Sequence, residues 1–203
     1  MLQAILDHDA ACAAGWEPGS LAASLLAGGV RFLQVRAKTL SSERLLELCD
    51  TVVGLARPYG AAVIVNDRAD IAVMARATGV HVGQDDLPPA AARELLGPDA
   101  IVGYSTHTIE QVERAVVLPV SYIAVGPVFS TGSKDTGYRP VGLELVRTAV
   151  QAAAGKPVIG IGGVTIDNAA QVIAAGASGV AVIADLLRGD PGDRAARFLA
   201  VLG

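Results

Sequence analysis

Short apolar runs alternate along this chain with longer segments in which apolar residues recur every three or four positions. The runs at 2–6, 30–36, 61–65, 80–82, 101–104, 122–125, 158–161 and 179–183 have the length and character of strands covered on both faces. Between them, helical spacing predicts helices at 19–27, 41–57, 88–96, 108–115, 142–153 and 166–175, another ending near residue 77, and a last one reaching 202. In 41–57 the period is carried by Leu45, Leu46, Leu48, Val52 and Val53. Ser41 or Ser42 supplies its N-cap, and Pro58 and Gly60 stop it. Eight βα units in 203 residues, joined by right-handed crossovers, predict an α/β fold, a closed TIM (β/α)8 barrel, in preference to an open sheet with fewer strands. No linker or low-complexity tract interrupts the pattern, so the expectation is a single domain over 1–203.

Composition narrows the partners. Hydrophobic residues make up 52% and charged residues 18%, and the net charge of −4 argues against nucleic acid or an anionic membrane as a partner. Any anion site must then be a local concentration of donors. Cys12 and Cys49 lie in helix-like stretches with no metal-ligand or CxxC spacing, and each is read as a buried free thiol. The start MLQAILDHDA meets Asp7 too early for a secretory signal, and no apolar run reaches ~18 residues, so a cytoplasmic protein is expected. The oligomeric state stays open, a homo-oligomer included.

The polar groups gather at the ends of the apolar runs. Residues 31–38 read RFLQVRAK, 61–68 AAVIVNDR and 80–87 VHVGQDDL. In parallel α/β proteins ligands bind beyond the carboxyl ends of the strands. Gln34, Arg36 and Lys38 alternate with Leu33, Val35 and Ala37, so they share one face and converge on the barrel mouth. Unpaired cations there are costly; they call for a bound anion or, as the simpler reading, an internal ion pair with Asp67 or Asp86. Asn66 and Asp67 end the third strand and Asp86 follows the fourth. Strands ~4.8 Å apart can aim both carboxylates at one point, as magnesium beside a phosphate requires. Asp85 competes for the second position, and either aspartate alone would more simply cap a helix. The pair together with Arg36 and Lys38 points to a metal–diphosphate site.

Three further segments add to this picture. The loop 126–140 carries Ser130, Thr131, Ser133, Lys134 and several glycines, suited to phosphate contacts and a mobile cover, or simply to a solvated loop. Gly160–Gly163 reads GIGG after the seventh strand, and Ile183 and Ala184 end the eighth, where barrels bind phosphate on backbone N–H groups. Of the histidines, His8 is read as a loop residue and His81 as a packed, hydrogen-bonded strand residue. His107 faces the mouth, as an acid or base or bonded to a loop carbonyl.

Taken in order, QVRAK, VNDR, GVHVGQDDL, GYSTHT, GPVFSTGSK, GIGGV and the strand 179–184 resemble the thiamine phosphate synthase (thiamine-phosphate pyrophosphorylase) family, over about residues 26–187. The resemblance implies a TIM-barrel transferase that joins hydroxymethylpyrimidine diphosphate to hydroxyethylthiazole phosphate and releases diphosphate. It implies that Gln34, Arg36, Lys38, Asn66, Ser105 and Lys134 bind the pyrimidine diphosphate, with Arg36, Lys38, Ser105 and Lys134 catalytic. It implies Mg²⁺ on Asp67 and Asp86, and thiazole phosphate on Thr131, Ser133, Gly163, Ile183 and Ala184. The chain departs from the family where Ala37 replaces a usual Glu, Ser133 a usual Thr and Ala184 a usual Ser. Ala184 keeps its N–H and loses a hydroxyl.

The implied chemistry agrees with the strand-end pattern. Diphosphate leaving an electron-rich pyrimidine places charge on the departing oxygen, where cations stabilise it, and no protein nucleophile is needed. Three rivals are weighed beside it. A thiazole tautomerase on the same barrel would use His107 and would not need both aspartates. A non-catalytic phosphometabolite-binding protein would need no turnover. A sugar-phosphate isomerase or epimerase would need an inner-strand base, and none is convincingly placed.

Overall fold

A computed structural model describes residues 1–130 and 139–203. Its strands β1 (Leu2–Asp7), β2 (Phe32–Arg36), β3 (Ala62–Asn66), β4 (Gly79–Val82), β5 (Ile101–Thr106), β6 (Tyr122–Val125), β7 (Val158–Ile161) and β8 (Gly179–Val182) form one closed barrel in chain order. Every neighbouring pair is parallel, and β8 closes on β1 with Leu2 opposite Val180. The expected TIM barrel is the fold, and the open sheet is excluded.

Alternation along each strand builds two apolar layers. In β2, Leu33 and Val35 point outward and join residues such as Leu6, Val63, Val65 and Val80 in the layer beneath the helices. Phe32 points inward and meets Ile5, Ile64, Tyr122 and Ile159 in the barrel interior. Gln34 and Arg36 share Phe32's parity, which carries that inner face up to the mouth.

The helices α1 (His8–Ala13), α2 (Pro18–Ala27), α3 (Ser42–Ala56), α4 (Ala69–Met74), α5 (Pro89–Leu96), α6 (Ile109–Val116), α7 (Gly142–Ala152), α8 (Ile166–Ala174) and α9 (Pro191–Leu202) surround the barrel. Ser41 is the N-cap of α3 and accepts the Arg44 N–H. Among the described residues no helix is long and apolar enough to cross a membrane.

Three readings are corrected. His8 is not in a loop; it opens α1, whose N-cap Asp7 accepts the Ala10 N–H at 3.0 Å. Six residues are too few to display a helical period. Cys12, on that short helix, is exposed, whereas Cys49 on α3 is buried as expected. The eighth strand stops at Val182, and Ile183 leads into a 3-10 turn, Ala184–Leu187.

Candidate active site at the barrel mouth

Both edges of β2 shape the site's cations. Strand register sets Asp7 directly opposite Arg36, and the two form a close ion pair. Their side chains are 7% and 17% exposed, so the pair is largely withdrawn from water. The expectation of Asp67 or Asp86 as Arg36's partner is therefore corrected to Asp7. For Lys38 it holds: its Nζ lies 3.2 Å from Asp67 Oδ2.

Asp67 is held in an unusual backbone. Its φ is +64°, its N–H donates to the His81 carbonyl at 2.8 Å, and the Arg68 N–H donates back to the Asn66 carbonyl at 2.8 Å. This is a tight turn of the strained, left-handed kind, which Asp tolerates better than most residues. It ends the β3 ladder and turns the carboxylate toward Lys38 and Asp86. Burial pushes the Asp67 carboxyl above its ordinary range; the Lys38 charge pulls it down, and the neighbouring Asp86 carboxylate pushes it up again. Asp86 also accepts the Gly83 N–H at 2.7 Å, which fixes the loop after β4.

Beneath the mouth lies a buried polar chain. Gln3 Nε2 donates to the Tyr122 hydroxyl at 2.8 Å, that hydroxyl bonds His81 Nδ1 at 2.8 Å, and His81 Nε2 bonds Ser105 Oγ at 2.7 Å. Burial raises the phenol's pKa, against the neighbouring amides of Gln3 and Gln34, which lower it. Gly103, between His81 and Tyr122 in register, makes the contact feasible: a Cβ there would lie 2.2 Å from the Tyr122 ring and 2.4 Å from His81 Nδ1. At the rim, His107 Nδ1 bonds the Gly126 carbonyl at 2.6 Å, the loop-carbonyl alternative expected for it.

One cavity of about 500 Å³ opens at the mouth. Gln34, Arg36, Lys38, Asn66, Asp67, Asp86 and Ser105 form one side, with His107 at the rim. Gly163, Ile183 and Ala184 form the other. Thr131, Ser133 and Lys134 lie outside the described residues. Glycine is required at 163: its φ is +65°, and a Cβ would lie 2.4 Å from the Ser130 carbonyl oxygen. Sequence reasoning missed Asp7, Gln3 and Tyr122. For the first two a signal existed, because Gln3, Ile5 and Asp7 alternate exactly as Phe32, Gln34 and Arg36 do.

Among the described residues no three His, Cys, Asp or Glu side chains gather as a full metal cage. A magnesium ion needs less, one or two carboxylates plus phosphate oxygens and water. The Asp67 carboxylate, with Asp86 beside it and Lys38 at 3.2 Å, forms a donor set that a divalent cation suits.

The chain matches the family model described as thiamine monophosphate synthase over residues 4–186. A thiamine-phosphate synthase of Moorella thermoacetica is 48% identical over 162 residues, covering 80% of this chain and 77% of that protein. One of Koribacter versatilis is 45% identical over 206 residues, covering 99% and 95%. The solved structure of thiamine phosphate pyrophosphorylase from Pyrococcus furiosus superposes with a TM-score of 0.88 at 29% identity, covering 99% of this chain and 94% of that one. With this fold, this mouth and these relatives, the chain belongs to the thiamine monophosphate synthase family.

Proposed function

We propose that the chain is one catalytic domain that condenses hydroxymethylpyrimidine diphosphate with hydroxyethylthiazole phosphate, giving thiamine phosphate and diphosphate in the cytoplasm. The observation that carries the reading is the two-sided cavity. Cations and carboxylates from β2, β3 and the loop after β4 face a glycine-rich wall from β7 and β8 across one space. A diphosphate suits the first side and a phosphomonoester the second.

In this reading Asn66, Gln34 and Ser105 orient the pyrimidine. The hydroxyl of Ser105 is itself steadied by His81, and through it by Tyr122 and Gln3. Arg36 and Lys38 sit where negative charge grows on the departing diphosphate, and they stabilise that charge without being consumed. Arg36 is preorganised by Asp7. Lys134 is assigned the same task from its motif. Asp67 and Asp86 would hold Mg²⁺, which when bound supplies Lewis-acid stabilisation of the diphosphate oxygens. Diphosphate departs dissociatively, and Gly163, Ile183 and Ala184, with Thr131 and Ser133, hold the thiazole phosphate so that its ring nitrogen traps the pyrimidine carbocation left behind. No protein nucleophile takes part.

The deciding experiment incubates the purified protein with both substrates and Mg²⁺ and measures thiamine phosphate. Formation at catalytic rates supports the reading, and its absence at all Mg²⁺ concentrations refutes it.

A further inference from the structure

The end of β8 carries a charge arrangement that the reaction above leaves unused. Asp185 lies in the 3-10 turn with its side chain 3% exposed. Its Oδ2 accepts the Ile166 N–H that begins α8 at 3.0 Å, and Arg194 of α9 donates to the same oxygen at 2.7 and 3.2 Å. Its Oδ1 is buried and has no hydrogen-bond partner among the described residues. Arg188 holds its Nε 3.7 Å from that oxygen, close enough for charge attraction and too far for a hydrogen bond. The Arg188 side chain is 75% exposed and lines the same cavity as Gly163, Ile183 and Ala184.

Two features of this arrangement point to a ligand. A buried carboxylate oxygen without a donor is costly, so Asp185 draws any donor within reach. Arg194 already balances the Asp185 charge, which leaves Arg188 as a surplus positive charge on the wall assigned to the phosphomonoester. An arginine can serve both demands at once: with Nε on one acceptor, its terminal nitrogens remain free to grip a second, planar-matched anion. This is also the wall where Ala184 has given up a hydroxyl donor.

We propose that Arg188 is the phosphate-recognising arm of the second substrate. On binding, Nε settles onto Asp185 Oδ1 and the terminal nitrogens donate to the phosphomonoester held at Gly163, Ile183 and Ala184. Arg188 thereby sets the preference for phosphorylated over unphosphorylated thiazole alcohol, and Asp185 is a positioning residue. The proposal rests on the reading that a phosphomonoester occupies this wall.

The test uses Arg188→Gln and Arg188→Lys, exposed substitutions that leave Asp185 and its bonds to α8 and α9 in place. Steady-state assays read KM for each substrate separately. Loss of a charge-assisted contact predicts a rise of about 10- to 100-fold in KM for the thiazole phosphate in Arg188→Gln. KM for the pyrimidine diphosphate should not move. Lysine should recover only part of the loss, because one ammonium cannot hold Asp185 and fork onto phosphate together. An unchanged thiazole phosphate KM, or equal rises for both substrates, overturns the proposal. Titration calorimetry with inorganic phosphate separates the two ideas. If the wild-type protein makes no thiamine phosphate, the reaction reading falls. Phosphate binding that weakens in Arg188→Gln would still support the arm, and binding absent in the wild type or indifferent to the substitution would overturn it.

Discussion

Asp7 does two jobs, and two substitutions separate them. One carboxylate oxygen accepts the Ala10 N–H and caps α1; the other pairs with Arg36. Asp7→Ala removes both. Loss of an N-cap costs about 1 kcal/mol. Breaking a fully buried ion pair costs about 3–5 kcal/mol, but the Arg36 side chain keeps 17% exposure at the cavity wall, so about 1–2 kcal/mol is expected. Asp7→Ala should therefore lose about 2–3 kcal/mol. For a chain of this size that lowers Tm by roughly 4–12 °C. Asp7→Asn keeps an oxygen for the cap and should lose only the ion-pair share. Urea unfolding and thermal scans of the three proteins measure the differences. The same change leaves Arg36 uncompensated, so diphosphate should inhibit Asp7→Asn severalfold more tightly than the wild type, by a margin that shrinks with added salt. Equal losses for Ala and Asn would refute the capping role. A wild-type Tm for both would refute the pairing role as well.

The remaining predictions concern the carboxylates, the barrel interior, the thiols and the rim histidine. Because the folded-state pKa of Asp67 is raised, chiefly by burial, stability without metal should fall as pH rises from about 4 through that higher value. Asp67→Asn should flatten this slope, and Mg²⁺ should raise the Tm of the wild type but not of Asp67→Asn. Asp86→Ala should lower turnover across a full Mg²⁺ titration, and unchanged activity would reject its role. Gly103→Ala forces a methyl into Tyr122 and His81 and should cost about 2–4 kcal/mol in overpacking and a lost buried hydrogen bond, measured by urea unfolding. With a thiol reagent at pH 8, native protein should titrate Cys12 alone, because burial pushes the Cys49 thiol up to about 12; two fast-reacting thiols would contradict this. His107→Ala should retain thiamine phosphate formation, whereas a wild type that isomerises thiazole without coupling, and loses this in His107→Ala, would favour a tautomerase.

The fold was legible because barrel strands are covered on both faces. Runs such as 61–65 and 179–183 read as unbroken apolar stretches, and eight of them between helical periods leave few other topologies. What escaped was what periodicity cannot carry. Helix α1 is shorter than two turns, so the helix-like stretch around Cys12 offers no period from which to place its start at His8. The burial of Cys12 was inferred from its residue type and failed because that short helix turns it outward.

The site was half legible for the same reason. A side chain's face follows from parity within its own strand, so Gln34, Arg36 and Lys38 could be placed together from sequence, and the cavity contains all three. Its partner depends on register between strands, which local spacing does not encode. Asp7 meets Arg36 because β1 is shifted against β2 so that these residues are opposite, and Tyr122 meets His81 because the residue between them in register is a glycine. Asp185 shows the same limit one step further out. Its neighbours come from α8, α9 and its own turn, three segments that converge only after the barrel has closed. Chemistry in this mouth is therefore divided: Gln34 and Arg36, assigned to substrate, lie on one face of β2, where parity reveals them. The pairings that hold those residues in place come from register and closure, and they became visible only in the folded barrel.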